Sequence, residues 1–431
     1  MFPRIDRAVL FIVFSVTAAA QTLPMLTLQQ AEAMAIKNHP QIQAAQNEVN
    51  YANQQIVINR ASYLPTITGE VTGSQSYEGS RIGAGNLQAS RLFQREGQGV
   101  DIEQLVTDFG RTSNLVSSAR FQAQAAAQNS TATRYTVLLD VNRAYFDVLR
   151  ARYTVKVAEQ TVSARQVLDD QITELARNNL RSQVDVAFAD VNVSEAKLLV
   201  LRAQDGVTGA LAELGRAMGS DQSANYTLSD EPLPTAPPAT ADSLVAQAID
   251  NRPELASLRA AREAAYKFAA AEKDLKRPTV SGLAVAGYTP YISNPTSSPI
   301  PPEYEAVAAN VSIPIFNGHL FSAREEAAYQ RALESDQKLR DEQQRISRDV
   351  RVAWASANDA YQRIDVTAQF LRQASLALQL AQGRYDLSLA SIVELTQAQL
   401  NVTSAEIENL NAKYDYQIQN AALQFTLGLL R

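Results

Sequence analysis

The chain has 431 residues and no cysteine. Disulfides, thiolate metal sites, a cysteine nucleophile and an acylated N-terminal cysteine are therefore excluded. Histidine is nearly as scarce: His39 and His319 are the only two, which leaves little for an imidazole zinc site or a histidine-dependent triad. Charged residues make up only 19 % and the net charge is −6, which argues against a nucleic-acid partner, because such proteins carry basic patches. No GxxxxGK[ST] phosphate loop and no GxSxG nucleophile elbow occur, and no cofactor or catalysis is expected. Past the N-terminus no apolar run reaches the ~18 residues of a membrane-spanning helix. Hydrophobic residues nevertheless make up 46 %, enough to oppose extended disorder.

Residues 1–20 read as a secretory signal. Arg4 and Arg7 precede the apolar run Ala8 to Val16, and Ala18-Ala19-Ala20 offers a small-residue cleavage site before Gln21. The run is too short to cross ~30 Å of hydrocarbon. A secreted, acidic, cysteine-free chain fits a periplasm or an outer membrane.

The rest of the sequence repeats itself. AIKNHP at 35–40 returns as AIDNRP at 248–253, an offset of 213. Pro65-Thr66-Ile67-Thr68-Gly69 faces Pro278-Thr279-Val280-Ser281-Gly282. From Asp140 onward the offset is 209: ADVNVSEA at 189–196 matches AQLNVTSA at 398–405, and Gly219 matches Gly428. The organisation expected is a first repeat over 21–219, a proline-rich linker over 220–240 and a second repeat over 241–431. Each repeat holds two helices broken at Asn-x-Pro. A strand pair follows, near 66–107 and 279–315. A long helix pair ends each repeat, over 109–218 and 318–428.

Residues 111–205 contain neither glycine nor proline, and 319–427 contain only Gly383. Breaks at Asn178-Asn179 and at Gly383 to Ser388 predict helices of ~45–65 residues each, far beyond globular lengths. Beyond the breaks the spacing alternates three and four, as in Val186, Ala189, Val193, Ala196, Val200 and Ala203, which is a coiled-coil seam. The strand segments alternate: Val307, Ala309, Val311, Ile313 and Ile315 share one face. Strands of ~10 residues suit a tilted membrane barrel. Tyr63, Tyr77, Phe93, Tyr288, Tyr291, Tyr304 and Phe316 stand near strand ends, as interfacial girdles or as ordinary core. Four strands cannot close a barrel, and lipid tolerates no open edge. A dimer gives eight strands and a filled interior; an open pore needs at least a trimer.

With the duplicated layout, the Asn-x-Pro breaks, the helix-to-strand prolines, Gly110, Gly318 and the terminal Leu-Gly in place, the chain resembles the TolC-like outer membrane efflux proteins. The resemblance implies a mainly α fold with a small β part, a homotrimer whose 12-stranded barrel sits in outer membrane lipid and continues as a helical tube. It also implies partners, a periplasmic adaptor and an inner-membrane transporter, in an efflux pump or type I secretion system. By the same resemblance the tube closes at the helix turns Asn178-Asn179-Leu180-Arg181 and Leu387-Ser388-Leu389, which also meet the adaptor. Asn179 and Ser388 stand where the family often has glycine. Tyr385 and Asp185 match a closing pair in which the tyrosine hydroxyl reaches the aspartate, and the family's basic partner falls at Ala390. Glu394 matches the first acidic position of the constriction, and Gln397 occupies the second. Read alone, Asp185 is a first-turn acid on the helix dipole, Glu394 a solvated charge and Tyr385 packing. The alternative function is a periplasmic adaptor, which has no need of two strand pairs flanked by long helix pairs. An enzyme on a helical scaffold and a poreless coiled coil are weaker alternatives.

Overall fold

The computed structural model describes residues 25–74, 81–84, 87–91, 95–220, 226–292 and 301–430. The signal segment, Tyr77 and Phe93 lie outside the described residues. The elements are β1 (Met25–Leu26), α1 (Leu28–Asn38), α2 (Pro40–Ala61), β2 (Thr66–Ser74), β3 (Arg81–Ala84), β4 (Leu87–Arg91), β5 (Arg95–Thr107), α3 (Arg111–Arg177) and α4 (Gln183–Ala217). Then come β6 (Thr227–Leu228), α5 (Asp242–Asn251), α6 (Pro253–Asp274), β7 (Thr279–Ile292), β8 (Glu303–Ser312), α7 (Leu320–Asp386) and α8 (Ile392–Thr426).

The four long helices are unequal in a repeated way: α3 and α7 have 67 residues, α4 and α8 have 35. At ~1.5 Å per residue the longer pair spans ~100 Å. The break falls within the expected span Gly383 to Ser388: α7 runs through Gly383, because one exposed glycine costs a helix only ~1 kcal/mol, and ends at Asp386. The seam positions Ala189, Val193, Ala196, Ala203, Leu395, Ala398, Ala405 and Ala412 are buried, and their small side chains let the helices approach closely.

The sheet order is β2-β5-β7-β8, antiparallel throughout. The helices above it stand in the same order: α2 beside α3, α3 beside α6, α6 beside α7. Each strand thus prolongs its own helix, and the chain forms one curved wall. Farther along, α3 pairs with α4, α7 with α8, and α3 with α8. β3 and β4 form a separate small antiparallel hairpin inside the first strand connection. β8 stops at Ser312, short of Ile313 and Ile315, because Pro314 has no N–H to continue a ladder.

Register separates the two faces of the sheet. Ile67, Ile102, Ala284 and Val307 lie in one row, and Val280 pairs with Val311 on the same face. The opposite face holds Thr68 with Asp101, Thr66 with Glu103, and the row Glu70, Gly99, Gly287 and Tyr304. Tyr304 therefore belongs to the polar face and not to a girdle. Its ring fills the space over Gly99 and Gly287, where any Cβ would collide with it.

Strand-to-helix corners use left-handed residues: Phe109 (φ 53°) with Gly110 (φ 115°), and Gly318 (φ 62°) with His319 (φ 67°). Asp108 caps α3, its Oδ2 accepting from Thr112 N at 2.7 Å. At mid-height the chain between the halves is tied down by ring donors. Tyr145 Oη lies 2.9 Å from Leu26 O and 2.7 Å from Ser229 O, Trp354 Nε1 donates to Pro238 O at 2.8 Å, and Tyr416 Oη donates to Thr235 O.

All four long helices end in a Schellman motif, with the C″ N–H donating to C3 and the C′ N–H to C2. At α4 these bonds are Ser220 N to Gly215 O (2.9 Å) and Gly219 N to Arg216 O (3.0 Å). The C′ residues Gly219, Gly428, Asn179 and Ser388 have φ of 67°, 70°, 58° and 57°. Only the glycines are crowded: a Cβ on Gly219 would lie 2.7 Å from His39 Cα, and one on Gly428 2.9 Å from Asn251 O. Asn179 and Ser388 are exposed at the free tips and need no such clearance. Gly219→Ala and Gly428→Ala are each expected to cost ~2–4 kcal/mol, from left-handed strain plus overpacking. Asn179→Ala should cost ~1 kcal/mol or less. Thermal unfolding of the purified protein checks the order.

Candidate functional site

The free tips of the two helical hairpins bring together the residues that the sequence marked. In the first turn Leu180 N donates to Leu175 O (2.8 Å) and Asn179 N to Ala176 O (3.0 Å); in the second Leu389 N donates to Arg384 O (2.7 Å) and Ser388 N to Tyr385 O (2.9 Å). The serine adopts the same left-handed turn as the asparagine, with φ of 57° against 58°. Leu180, Leu387 and Leu389 are 68 %, 73 % and 67 % exposed, an apolar crown at the tips.

Each turn hands over to the next helix through a serine cap. Ser182 Oγ accepts from Asp185 N (3.2 Å) while Asp185 Oδ2 accepts from Ser182 N (3.2 Å), a reciprocal capping box. At the equivalent place Ser391 Oγ accepts from Glu394 N (3.3 Å). Asp185 and Glu394 are thus the same helix position in the two repeats. Their carboxylates part company: that of Asp185 closes its box, and that of Glu394 turns to Arg384 Nε at 3.3 Å. Gln397 is exposed and donates to Asn401 Oδ1 at 3.0 Å.

Tyr385 sits beneath both turns, 3 % exposed, in a cluster with Leu168, Ile172, Ala189, Ile392 and Leu395. Its hydroxyl is buried without a hydrogen-bond partner. The expected bond to Asp185 does not form within the chain, because that carboxylate is engaged at Ser182. Burial first, and then the nearby charges of Asp185 and Asp386, push the Tyr385 hydroxyl up from its usual range, against a lowering by Arg181. What holds Tyr385 is Arg181 of the other hairpin. The guanidinium lies 4.1 Å from the ring centroid, and Nη2 donates to Tyr385 O at 2.8 Å. Arg181 therefore caps the C-terminal end of α7, where the helix dipole favours a cation.

Sequence reasoning placed Arg181 in a turn and missed its role, and it passed over Arg384. The repeat held the signal. Arg181 is the counterpart of Ala390 at offset 209, so the basic residue absent from one turn stands in the other. The counterpart of Tyr385 is Ala176, so each half supplies one partner of the stack. Farther from the tips the hairpins are joined by Asn192 Nδ2 donating to Thr396 Oγ1 (3.0 Å) and by the Thr161–Thr403 hydroxyl pair (3.3 Å).

Among the described residues no helix is long and apolar enough to cross a membrane, and no group of three His, Asp or Glu side chains is placed to hold a metal ion.

Comparison with known proteins agrees with this architecture. The Brucella suis outer membrane efflux protein BepC is 22 % identical over 93 % of this chain and 85 % of its own length. The Pseudomonas aeruginosa alkaline protease secretion protein AprF is 24 % identical over 92 % and 83 %. Among solved structures, a Pseudomonas aeruginosa membrane protein superposes with a TM-score of 0.80 at 20 % identity, covering 93 % of both chains. The outer membrane efflux protein family model matches twice, over residues 32–220 and 244–429, so the chain belongs to the outer membrane efflux protein family.

Proposed function

We propose that three copies of this chain close around one axis into a passive exit duct through the outer membrane, gated at the hairpin tips. The observation that carries this reading is the open sheet, whose outer strands β2 and β8 each leave one edge unpaired among the described residues. Lipid offers no hydrogen bonds to such an edge. Pairing β8 of one copy with β2 of the next removes every edge, and three four-stranded sheets make a barrel wide enough to stay open. The row of Ile67, Ile102, Ala284 and Val307 then meets lipid, and Thr68, Asp101 and Glu103 line the lumen. Exposed Tyr63, Leu64, Phe109, Ile315 and Phe316 gather at the foot of the barrel, where an interfacial girdle belongs.

The helical part closes by the same rule. Inside one chain α3 packs on α8. The repeat makes α7 and α4 their counterparts, so α7 of one copy packs on α4 of the next. Val184, Phe188, Val191, Leu198 and Leu201 on α4, and Val366, Phe370 and Leu380 on α7, are 44–64 % exposed in the single chain and become buried there.

The duct does no chemistry on its cargo. The leucines of the tips dock a periplasmic adaptor, which links the duct to an inner-membrane transporter. Relatives named for efflux and for protease secretion share this architecture, so the cargo is chosen by the transporter.

The closed state rests on the Arg181–Tyr385 stack, which ties hairpin to hairpin three times around the ring. A partly exposed cation–π contact and a charged hydrogen bond are worth ~1 and ~1.5–3 kcal/mol. Arg181→Ala is expected to give more frequent and larger openings in single-channel recordings. Tyr385→Phe keeps the ring and the carbonyl and should conduct as wild type. The reverse pattern would make the hydroxyl, bonded to a neighbouring copy, the latch.

Glu394, half neutralised by Arg384, sets the charge of the constriction. Glu394→Gln should lower cation selectivity and Arg384→Ala should raise it, read from reversal potentials in a salt gradient. On the barrel, Val307→Arg near the sheet centre should cost ~2–4 kcal/mol and reduce assembled trimer, which native mass measurement of outer-membrane extracts detects. Full assembly would place lipid on the other face.

A further inference from the structure

Two kinks interrupt the short helices, and they are built alike except in charge. α1 gives way to α2 at Asn38-His39-Pro40, and α5 to α6 at Asn251-Arg252-Pro253. Each kink receives the end of a long helix. Gly219 of the α4 terminus lies against Asn38 and His39, and Gly428 of the α8 terminus against Asn251 and Arg252, with no room for a Cβ.

Arg252 is a permanent cation, and its surroundings suit one. It is 7 % exposed; Nε and Nη2 donate to Glu254 at 3.0 and 2.9 Å, and the guanidinium lies 5.3 Å from the Phe425 ring. Its side chain makes no cap to α6. His39 is equally buried, at 6 % exposure, but every accommodation is reversed. Where Arg252 has Glu254, His39 has the uncharged Gln41, and where Arg252 has Phe425, His39 has Arg216. The imidazole caps its helix instead: Nδ1 accepts from Gln41 N at 3.3 Å. Only an unprotonated ring nitrogen can accept. The site is shaped for a neutral side chain, and its twin for a charged one.

We propose that His39 is an acid-sensitive joint, at which protonation removes the cap of α2, sets a positive charge against Arg216 and loosens the seam between the α1–α2 kink and the end of α4. The charged groups acting on His39 are Arg216 from α4, itself paired with Glu213 at 2.6 Å, and Asp140 from α3. Burial and then Arg216 lower its pKa from the usual histidine range, with Asp140 opposing. A base whose folded pKa is lowered stabilises the fold fully above its ordinary value, near 6.5. That stability is lost as pH falls from there through the folded value. The twin seam has an arginine in place of the histidine, so mild acid loosens one seam per chain and leaves the other.

Hydrogen exchange on the full-length protein in detergent, between about pH 7.5 and 5, tests this in the range where histidine titrates. After correction for intrinsic rates, exchange over 40–44 and 215–220 should rise about fivefold on acidification, the effect of losing an N-cap. Segments 253–257 and 424–429 should not change. His39→Asn keeps a capping side chain that cannot titrate and should abolish the rise. Arg216→Phe, which copies the second half, should move its onset to higher pH. A wild-type protein without the rise, a rise that survives in His39→Asn, or an onset unmoved by Arg216→Phe would overturn the proposal.

Discussion

Backbone hydrogen bonds at the edges of a four-stranded sheet decide most of this molecule. Among the described residues β2 and β8 each leave a row of N–H and C=O groups without a strand partner, in a solvent that supplies none. A protein can cover such edges, bend them away or close the sheet. Here β2 and β8 are the two ends of the sheet, and register lines Ile67, Ile102, Ala284 and Val307 along one face, the one that meets lipid in the proposed barrel. Closure with further copies follows. Since each strand continues its own helix, the number of strands also fixes the number of helices in the wall below.

Duplication supplies the parts, and function lies where the duplicates differ. Ser182 and Ser391 are equivalent caps, and Asp185 and Glu394 are equivalent first-turn acids, yet one closes a capping box and the other meets Arg384. Arg181 and Tyr385 each face an alanine in the other half, and they find each other across the hairpins. His39 and Arg252 occupy matching kinks with opposite demands on charge. A perfectly repeated chain would have six equal seams; these substitutions make two kinds.

Much of the architecture is legible in the sequence because it is local or periodic. Prolines at 65 and 278 stop helices whatever they pack against, and Val186, Ala189, Val193 and Ala196 write a seam into the spacing. What was misread depends on distance. Tyr385 and Arg181 are 204 residues apart, so no pattern links them until the hairpins fold together. Tyr304 looked like a girdle residue because aromatic character does not reveal a face; register across three strands does. The left-handed turns at Asn179 and Ser388 lacked their glycines because an exposed tip tolerates a Cβ that the crowded ends at Gly219 and Gly428 do not.

The matched lengths of the long helices have a consequence for how such a chain changes over generations. α3 and α7 have 67 residues each, and α4 and α8 have 35. One residue inserted in α3 would advance everything beyond it by ~1.5 Å and rotate it by ~100°. The buried stripe would turn outward, and one tip would stand above the other. A compensating insertion in α4 could restore the hairpin but would leave the second repeat behind. Lengthening the tube therefore requires near-integral numbers of turns, added in both arms of both repeats. Indels in this region are expected to arrive in matched sets or not at all, while the strand connections, which carry no such phase relation, are free to drift.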